Sequence, residues 1–73
     1  MVAPNDIKVW IEQNLPNSKV EIEGDGQHFN AVIVCPEFAG KSMVQQHQMV
    51  YQALGDKMKS EIHALSMRTM SEE

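Results

Sequence analysis

The spacing of apolar residues first follows the period of a helix. After Pro4-Asn5-Asp6, which suits a first helical turn, apolar residues recur three or four positions apart (Ile7, Trp10, Ile11 and Leu15). Pro16 predicts that this helix ends near Asn14. Trp10 is expected to be its largest contribution to the core, because packing is a more ordinary role for tryptophan than stacking on a ligand.

The period then changes to two, which is typical of strands. Residues 19–23 alternate between an apolar side, Val20 and Ile22, and a charged side, which predicts a half-buried strand. Residues 28–35, reading HFNAVIVC, are more apolar on both sides, as a central strand would be. Because a flexible glycine-bearing turn at residues 24–27 joins the two runs, they are predicted to form an antiparallel hairpin that ends at Pro36.

The stretch at residues 38–54, reading FAGKSMVQQHQMVYQAL, contains a helix start and an apolar stripe, and a stop follows it. Ser42 stands three residues before Gln45, which is the spacing of a capping box. Gly55 supplies the left-handed residue that commonly ends a helix. The stripe predicted to be buried consists of Met43, Val44, Val50, Tyr51 and Leu54, with His47 at the same period.

The last part of the pattern completes the fold. Asp56 is expected to cap a short helix at residues 57–60, and residues 62–70 alternate as a third strand. Because the connection from the second strand passes through a helix, the third strand should run parallel to the second. We therefore predict one α+β domain over residues 1–73, with the order α-β-β-α-α-β. Its helices should cover one face of a three-stranded mixed sheet, with a disordered tail at residues 71–73.

Composition and charge narrow the classes of function. With 73 residues the core is marginal, and such chains often depend on a partner. A single cysteine excludes an internal disulfide and favours a reducing compartment. No apolar run approaches the roughly 18 residues of a membrane span, and no signal-peptide pattern follows Met1, so we expect a cytoplasmic protein with no membrane role. The net charge of −4 weakens nucleic-acid binding without excluding it.

Catalytic motifs are absent from the sequence. There is no GxSxG, HExxH or CxxC, and no glycine loop that would cradle a phosphate. The neighbouring carboxylates Glu21 and Glu23 suit a solvated strand face. Because so short a chain rarely encloses a catalytic cleft, we do not expect an enzyme.

Two histidines stand at the starts of the strands predicted to be parallel neighbours. His28 follows the glycine turn and His63 opens the third strand, so both imidazoles should lie near the same end of the sheet. Neutral imidazole is a common ligand of zinc and iron, but two ligands form an incomplete site that a partner must complete. Spacing alone leaves open an exposed turn histidine for His28 and a hydrogen-bonded strand-edge histidine for His63.

Simpler roles are expected for the other polar groups. His47 suits a half-buried structural histidine, and Cys35 suits a buried small hydrophobe. The basic residues of the C-terminal half are Lys41, Lys57, Lys59 and Arg68. They could bind an anion if the glycine turn and the short helix come together, but scattered solvated side chains are the simpler expectation.

Five separated segments together resemble the BolA family over roughly residues 5–70. They are Gly24-Asp25-Gly26-Gln27-His28-Phe29, then Phe38-Ala39-Gly40-Lys41-Ser42, then His47, then Val50-Tyr51 with Leu54, and finally Ile62-His63-Ala64-Leu65-Ser66. The acidic-glycine turn before His28 and the short chain are most similar to the IbaG branch. The resemblance implies a class II KH-like fold, which agrees with the order of elements predicted above.

The same resemblance implies a role in iron–sulfur chemistry and iron homeostasis. BolA-like proteins pair with monothiol glutaredoxins and share a bridged [2Fe-2S] cluster with them. His63, in the Ile-His-Ala segment, matches one cluster ligand of the family, and His28, in the loop before the second strand, matches another. The glutaredoxin cysteine and glutathione would supply the remaining ligands. A homodimer of the apo form is left open.

A second activity implied by the resemblance is regulation of transcription under stress through DNA or RNA. It would use the turn Gly40-Lys41-Ser42 and the helix after it, with Lys57 and Lys59 as further contacts. The chain departs from the family pattern at Gln46, where many relatives carry arginine, and it lacks the usual C-terminal extension with a tryptophan after Met70. A missing phosphate-reaching arginine weakens the nucleic-acid hypothesis, and the shorter tail bears on glutaredoxin docking.

Overall fold

The computed structural model describes residues 2–72 and has the predicted order of elements. These are α1 (Pro4–Asn14), β1 (Lys19–Gly24), β2 (His28–Val34), a 3₁₀ turn (Pro36–Phe38), α2 (Met43–Leu54), α3 (Lys57–Ser60) and β3 (Ala64–Met70). The α+β class is confirmed. The two ends of the predicted domain, Met1 and Glu73, lie outside the described residues, so the predicted tail is described only at Ser71 and Glu72. Within residues 2–72 no helix is long and apolar enough to cross a membrane.

The sheet has the strand order β1-β2-β3. β1 pairs antiparallel with β2, and β2 pairs parallel with β3, as predicted. The parallel ladder runs from the pair His28 and Ala64 to the pair Val34 and Met70. β3 starts two residues later than predicted, because Ile62 still belongs to the turn after α3 and donates its backbone N–H to the Lys57 carbonyl over 2.9 Å.

The helices cover one face of this sheet, and the core lies between the two layers. Alternate β2 residues are buried while the residues between them are more exposed, which leaves the other sheet face wet. The fully buried side chains are Phe29, Phe38, Ile7, Ile11, Ile33, Val50 and Cys35. Trp10 was expected to be the largest core contribution of α1; it packs against the core as predicted, but it is not among the fully buried residues. Its ring is only half-buried and lies under the Lys57 ammonium, 4.8 Å from the ring centroid.

The N-terminal half of α2 is more exposed than its apolar stripe predicted. The capping box is confirmed, with Ser42 Oγ accepting the Gln45 N–H and Gln45 Oε1 accepting the Ser42 N–H. Val50 and Leu54 are buried as predicted. The prediction is wrong for three residues, because Met43, Val44 and Tyr51 are 69%, 66% and 42% exposed.

The polar residue Gln46 explains this difference. Its side-chain amide donates to the carbonyls of Phe38 and Lys41, and its Oε1 accepts the Thr69 hydroxyl over 2.7 Å. The inward face of α2 therefore runs through Gln46 and Val50. A stripe traced through apolar residues alone misses that face, because one of its positions is a glutamine that binds a loop on one side and β3 on the other.

The turn between α2 and α3 follows the prediction in part. Gly55 has a φ of +57° and its N–H bonds the Tyr51 carbonyl, so it ends α2 as expected. Asp56 precedes α3, but its side chain makes no capping hydrogen bond. Its backbone carbonyl accepts the N–H groups of Lys59 and Ser60 instead.

Candidate functional site

The two predicted ligands, His28 and His63, lie beside each other at one end of the sheet. Their ring centroids are 6.1 Å apart and the ring planes are nearly perpendicular, at 86°. His28 opens β2 and His63 directly precedes β3, and the two strands are in register from their first residues. A hydrogen bond of 3.1 Å from the Ala64 N–H to the Gln27 carbonyl ties the turn before β2 to the start of β3.

Asp25 holds the backbone of the turn that carries His28. Its Oδ1 accepts the backbone N–H groups of Gln27 and His28 over 2.9 and 2.8 Å, and its own N–H donates to the His28 carbonyl. The bond from the His28 N–H, followed by that from Gln27, lowers the pKa of the Asp25 carboxyl below its ordinary value of 3.8. A turn predicted to be flexible is therefore held by an aspartate.

Close packing at Gly24 also fixes this turn. A Cβ atom on Gly24 would stand 2.5 Å from the His28 carbonyl oxygen and 2.5 Å from the Phe29 ring. Gly26, in the middle of the turn, has a φ of +99°, a backbone conformation that favours glycine. The two glycines of this segment thus allow the chain to turn tightly enough for β2 to start at His28.

Both imidazoles are exposed. The His28 side chain is 69% exposed, and its Nδ1 is 3.8 Å from Asp25 Oδ2, which is an ion-pair distance and longer than a hydrogen bond. His63 is also exposed, and its ring makes no hydrogen bond to any described residue. The alternative of a hydrogen-bonded strand-edge histidine at His63 therefore finds no support, and a partner protein can reach both rings.

The two histidines would form only part of a metal site. Among residues 2–72 there is no group of three or more histidine, cysteine, aspartate or glutamate side chains placed to hold a metal ion. A [2Fe-2S] cluster takes four ligands, and two of them can be histidines. The two nitrogen donors at this site therefore fit half of such a donor set, and a partner would have to supply the other half.

The basic residues named for nucleic-acid binding have different surroundings. Lys41 lies between Gly40, with a φ of +77°, and the capping Ser42, and it lines a shallow depression with glutamines of α2. Lys57 lies over the Trp10 ring, whereas Lys59 lines a depression that also includes His63. Each of the three lysines therefore has different neighbours among the described residues.

Two further residues agree with their predicted burial. His47 is half-buried and lines a groove between α2 and β3. Cys35 is fully buried, and its Sγ lies 3.7 Å from the Pro16 carbonyl oxygen, to which the thiol donates.

Asp25 is a residue of the candidate site that was not predicted from the sequence. An aspartate followed by glycine in a short hairpin loop is a signal for a side chain that bonds the backbone two residues on. That signal was present at Asp25-Gly26 and predicted only a turn. Asp25 fixes the position of His28 opposite His63 only once β2 has paired with β3, and this pairing is not visible in the sequence of the turn.

Substitutions at Asp25 test whether this turn positions His28. Since the Asp25 pKa is lowered, the contribution of its carboxylate to the stability of the turn is present above pH 3.8. It is lost as the pH falls through the lower folded-state pKa. We expect the amide resonances of Gln27 and His28 to titrate together with a midpoint below 3.8. Asp25→Ala should abolish this titration and change the His28 ring environment, whereas Asp25→Asn, which keeps an acceptor oxygen, should abolish the titration and keep the turn. An unchanged titration in Asp25→Ala would refute the assignment.

Comparisons with known proteins agree with this fold. A family model described as BolA-like protein matches residues 2–73. The solved structure of a bolA protein homologue from Coxiella burnetii has a TM-score of 0.90 and 53% identity, covering 94% of this chain and 90% of that one. The DNA-binding transcriptional regulator BolA of Haemophilus influenzae is 33% identical over 70 residues, which are 96% of this chain and 65% of that protein.

A third relative is much longer than this chain. SufE-like protein 1 of Arabidopsis thaliana is 50% identical over 44 residues, which are 59% of this chain and 12% of that protein. Its BolA domain, as a solved structure, has a TM-score of 0.75 and 33% identity, covering 90% of this chain and 87% of that domain. The chain thus spans less than two thirds of several curated relatives that it matches.

Proposed function

This chain belongs to the BolA-like protein family, and on that premise we propose that it is a non-enzymatic, cytoplasmic partner of a monothiol glutaredoxin. In the complex, His63 and His28 would ligate a bridged [2Fe-2S] cluster. The glutaredoxin cysteine and glutathione would supply the other ligands, as the family resemblance implies. The IbaG branch remains the predicted place of the chain within the family.

A single observation supports this proposal most strongly: two exposed imidazoles 6.1 Å apart, in a chain whose described residues offer no third ligand beside them. Imidazole binds a metal through a neutral nitrogen, and its second nitrogen is often held by a carboxylate or carbonyl group. At His28 the nearby group is the Asp25 carboxylate. The arrangement suits a site that becomes complete only when a second protein docks.

The residues around the two histidines hold the imidazoles in place and would not themselves bind the cluster. Asp25 holds the His28 backbone, and the bond between Ala64 and Gln27 holds the turn against β3. Ile62, buried directly before His63, anchors the other side of the pair. A bound cluster would supply iron that can be carried between proteins, and the chain would hold one side of it.

Anaerobic reconstitution tests the proposal. The full chain and a monothiol glutaredoxin are mixed with glutathione, iron and sulfide, and the complex is isolated by size-exclusion chromatography. We expect one heterodimer per cluster, with visible absorption and circular dichroism that differ from those of the glutaredoxin alone. Spectra identical to those of the glutaredoxin alone, with the chain eluting separately, would reject the proposal.

Nucleic-acid binding is the second candidate function, favoured by the name of the Haemophilus influenzae relative, a DNA-binding transcriptional regulator. It would use the exposed Lys41 at the start of α2. We expect any such binding to weaken steeply with salt. Lys41→Ala should lower the slope of log affinity against log salt concentration by about one, the value for one lost phosphate contact. Lys8→Ala, in α1, is the control. No binding of the wild-type chain to DNA or RNA in a low-salt gel-shift series would exclude this function.

A further inference from the structure

The outer edge of β3 presents unpaired backbone groups. The N–H of Ala64 bonds the Gln27 carbonyl and the Met70 carbonyl accepts the Cys35 N–H, so these two β3 residues direct their backbone groups towards β2. Because backbone direction alternates along a strand, Leu65, Met67 and Thr69 direct theirs away from the sheet. No hydrogen bond within residues 2–72 satisfies these outward N–H and C=O groups.

The two edges of the sheet are protected to different degrees. At the β1 edge the Glu12 carboxylate accepts the backbone N–H of Val20 over 3.1 Å, and the strand carries three charged residues on its wet side. Charged side chains, prolines and bulges are the usual devices that prevent a further strand from pairing. β3 has no proline and no acidic residue, and its one charged side chain is that of Arg68.

A groove runs beside the unprotected edge. It has a volume of about 360 Å³ and is lined by Met43, Gln46, His47, Met67, Arg68 and Thr69. Met43 offers an exposed apolar surface, whereas no carboxylate lines the groove. Among the described residues Arg68 has no ion-pair partner. In a chain of net charge −4, this is a local surface that suits an acidic and apolar segment.

We propose that the β3 edge binds an extended peptide segment of the partner protein, which adds to the sheet as a fourth strand. The segment would place alternate apolar side chains over Met43 and Met67 and an acidic side chain near Arg68. This inference rests on the proposed function for the identity of the partner, since Leu65, the first outward-facing residue of β3, lies two residues after His63. A partner that reaches the two imidazoles is therefore already beside β3.

A peptide strand fits this edge better than a second copy of the chain. If two β3 strands paired across a two-fold axis, both α2 helices would flank the same seam. A helix with its side chains is about 10–12 Å across, whereas the groove between α2 and β3 holds a few side chains. An extended segment needs no more than that space.

Amide hydrogen exchange of the full chain with apo glutaredoxin tests the edge directly. We expect the exchange of Leu65, Met67 and Thr69 to slow by about tenfold or more in the complex, while that of Ser66 and Arg68, which already face β2, changes little. Met67→Pro removes one outward donor and should therefore weaken glutaredoxin binding by about tenfold. The strand should tolerate the proline, because this N–H is unpaired within the sheet. Met67→Ala, which keeps the N–H, should bind more tightly than Met67→Pro.

A peptide probe separates this inference from the proposed function. The probe is a seven-residue peptide of alternating valine and glutamate. Its control has the same sequence, but the backbone nitrogens that would pair with β3 are methylated and cannot donate hydrogen bonds. If glutaredoxin binds without protecting the three outward amides, the β3 inference fails and the proposed function stands. If glutaredoxin does not bind, the proposed function fails, and saturable shifts at those amides from the unmethylated peptide alone would support the edge. Equal effects of both peptides, or protection by self-association without any partner, would overturn the inference.

Discussion

Replacing His63 by alanine is expected to weaken the binding of the [2Fe-2S] cluster in the complex with glutaredoxin. Changes to groups that only support a metal ligand typically cost 10–100-fold in affinity, so the loss of a ligand should cost at least about tenfold. His28→Ala should also weaken the cluster, since the two rings are 6.1 Å apart and would share it. The measurement is iron and sulfide per heterodimer, together with visible circular dichroism, after reconstitution at equal protein concentrations.

The fold should survive this substitution, which makes the result interpretable. His63 is exposed and makes no hydrogen bond to a described residue, so His63→Ala should change the free energy of unfolding by less than about 0.5 kcal/mol. Glu61→Ala, an exposed neighbour in the same turn, is the matched control and should keep the cluster. His63→Cys should keep a cluster with a shifted spectrum, because thiolate also ligates iron. An unchanged spectrum in His63→Ala would contradict the assignment.

Phe38→Ala should have the largest effect on stability. The Phe38 side chain is fully buried in the turn that joins β2 to α2, and its carbonyl accepts hydrogen bonds from Lys41 and Gln46. Removing a buried phenylalanine costs about 3–5 kcal/mol, a large part of the 5–15 kcal/mol by which small domains are typically stable. Urea denaturation followed by far-ultraviolet circular dichroism measures the change in free energy of unfolding.

Val44→Ala is the control for Phe38→Ala and tests the corrected position of α2. Because Val44 is 66% exposed, its truncation should change the free energy of unfolding by no more than about 0.5 kcal/mol. The stripe predicted from the sequence would instead make Val44 a core residue, with a cost of about 1 kcal/mol or more for the lost methyl groups. A large cost at Val44 together with a small cost at Phe38 would show that the orientation of α2 described here is wrong.

Local patterns were sufficient to predict most of the fold. The alternation in β1, the capping box at Ser42 and the positive φ at Gly55 are each decided within a few residues, and each agrees with the structure. β2 was predicted to be apolar on both sides, but its burial alternates, because the helices cover only one face of the sheet. The parallel pairing of β3 followed from the helical connection, which leaves one favoured hand. These features depend on backbone sterics and on apolar periodicity, both of which can be recognised in a single sequence.

The faces of α2 and the surroundings of Trp10 could not be predicted in the same way. Gln46 faces inward because the carbonyls of Phe38 and Lys41 and the Thr69 hydroxyl converge on it. That convergence exists only once β3 and the loop before α2 are in place. The contact of the Trp10 ring with the Lys57 ammonium is of the same kind, because the lysine comes from a distant element. Such contacts between distant segments carry no local signal.

The candidate site could be predicted from the sequence in part. That His28 and His63 would share one end of the sheet follows from strand order, and the structure places their rings together. The family resemblance, not the spacing, supplies the expectation of a cluster ligand at each. The role of Asp25 in holding His28 follows from the hydrogen bonds of the turn, which the sequence does not show.

The central claim is that two imidazoles of this chain bind the iron of a shared cluster. Pulsed electron paramagnetic resonance of the reduced complex tests it most directly, with ¹⁵N-histidine incorporated only into this chain and an unlabelled glutaredoxin. We predict ¹⁵N hyperfine couplings from two directly coordinated imidazole nitrogens, with one set lost in His63→Ala or in His28→Ala. A cluster that forms in the complex without ¹⁵N coupling from this chain would contradict the claim.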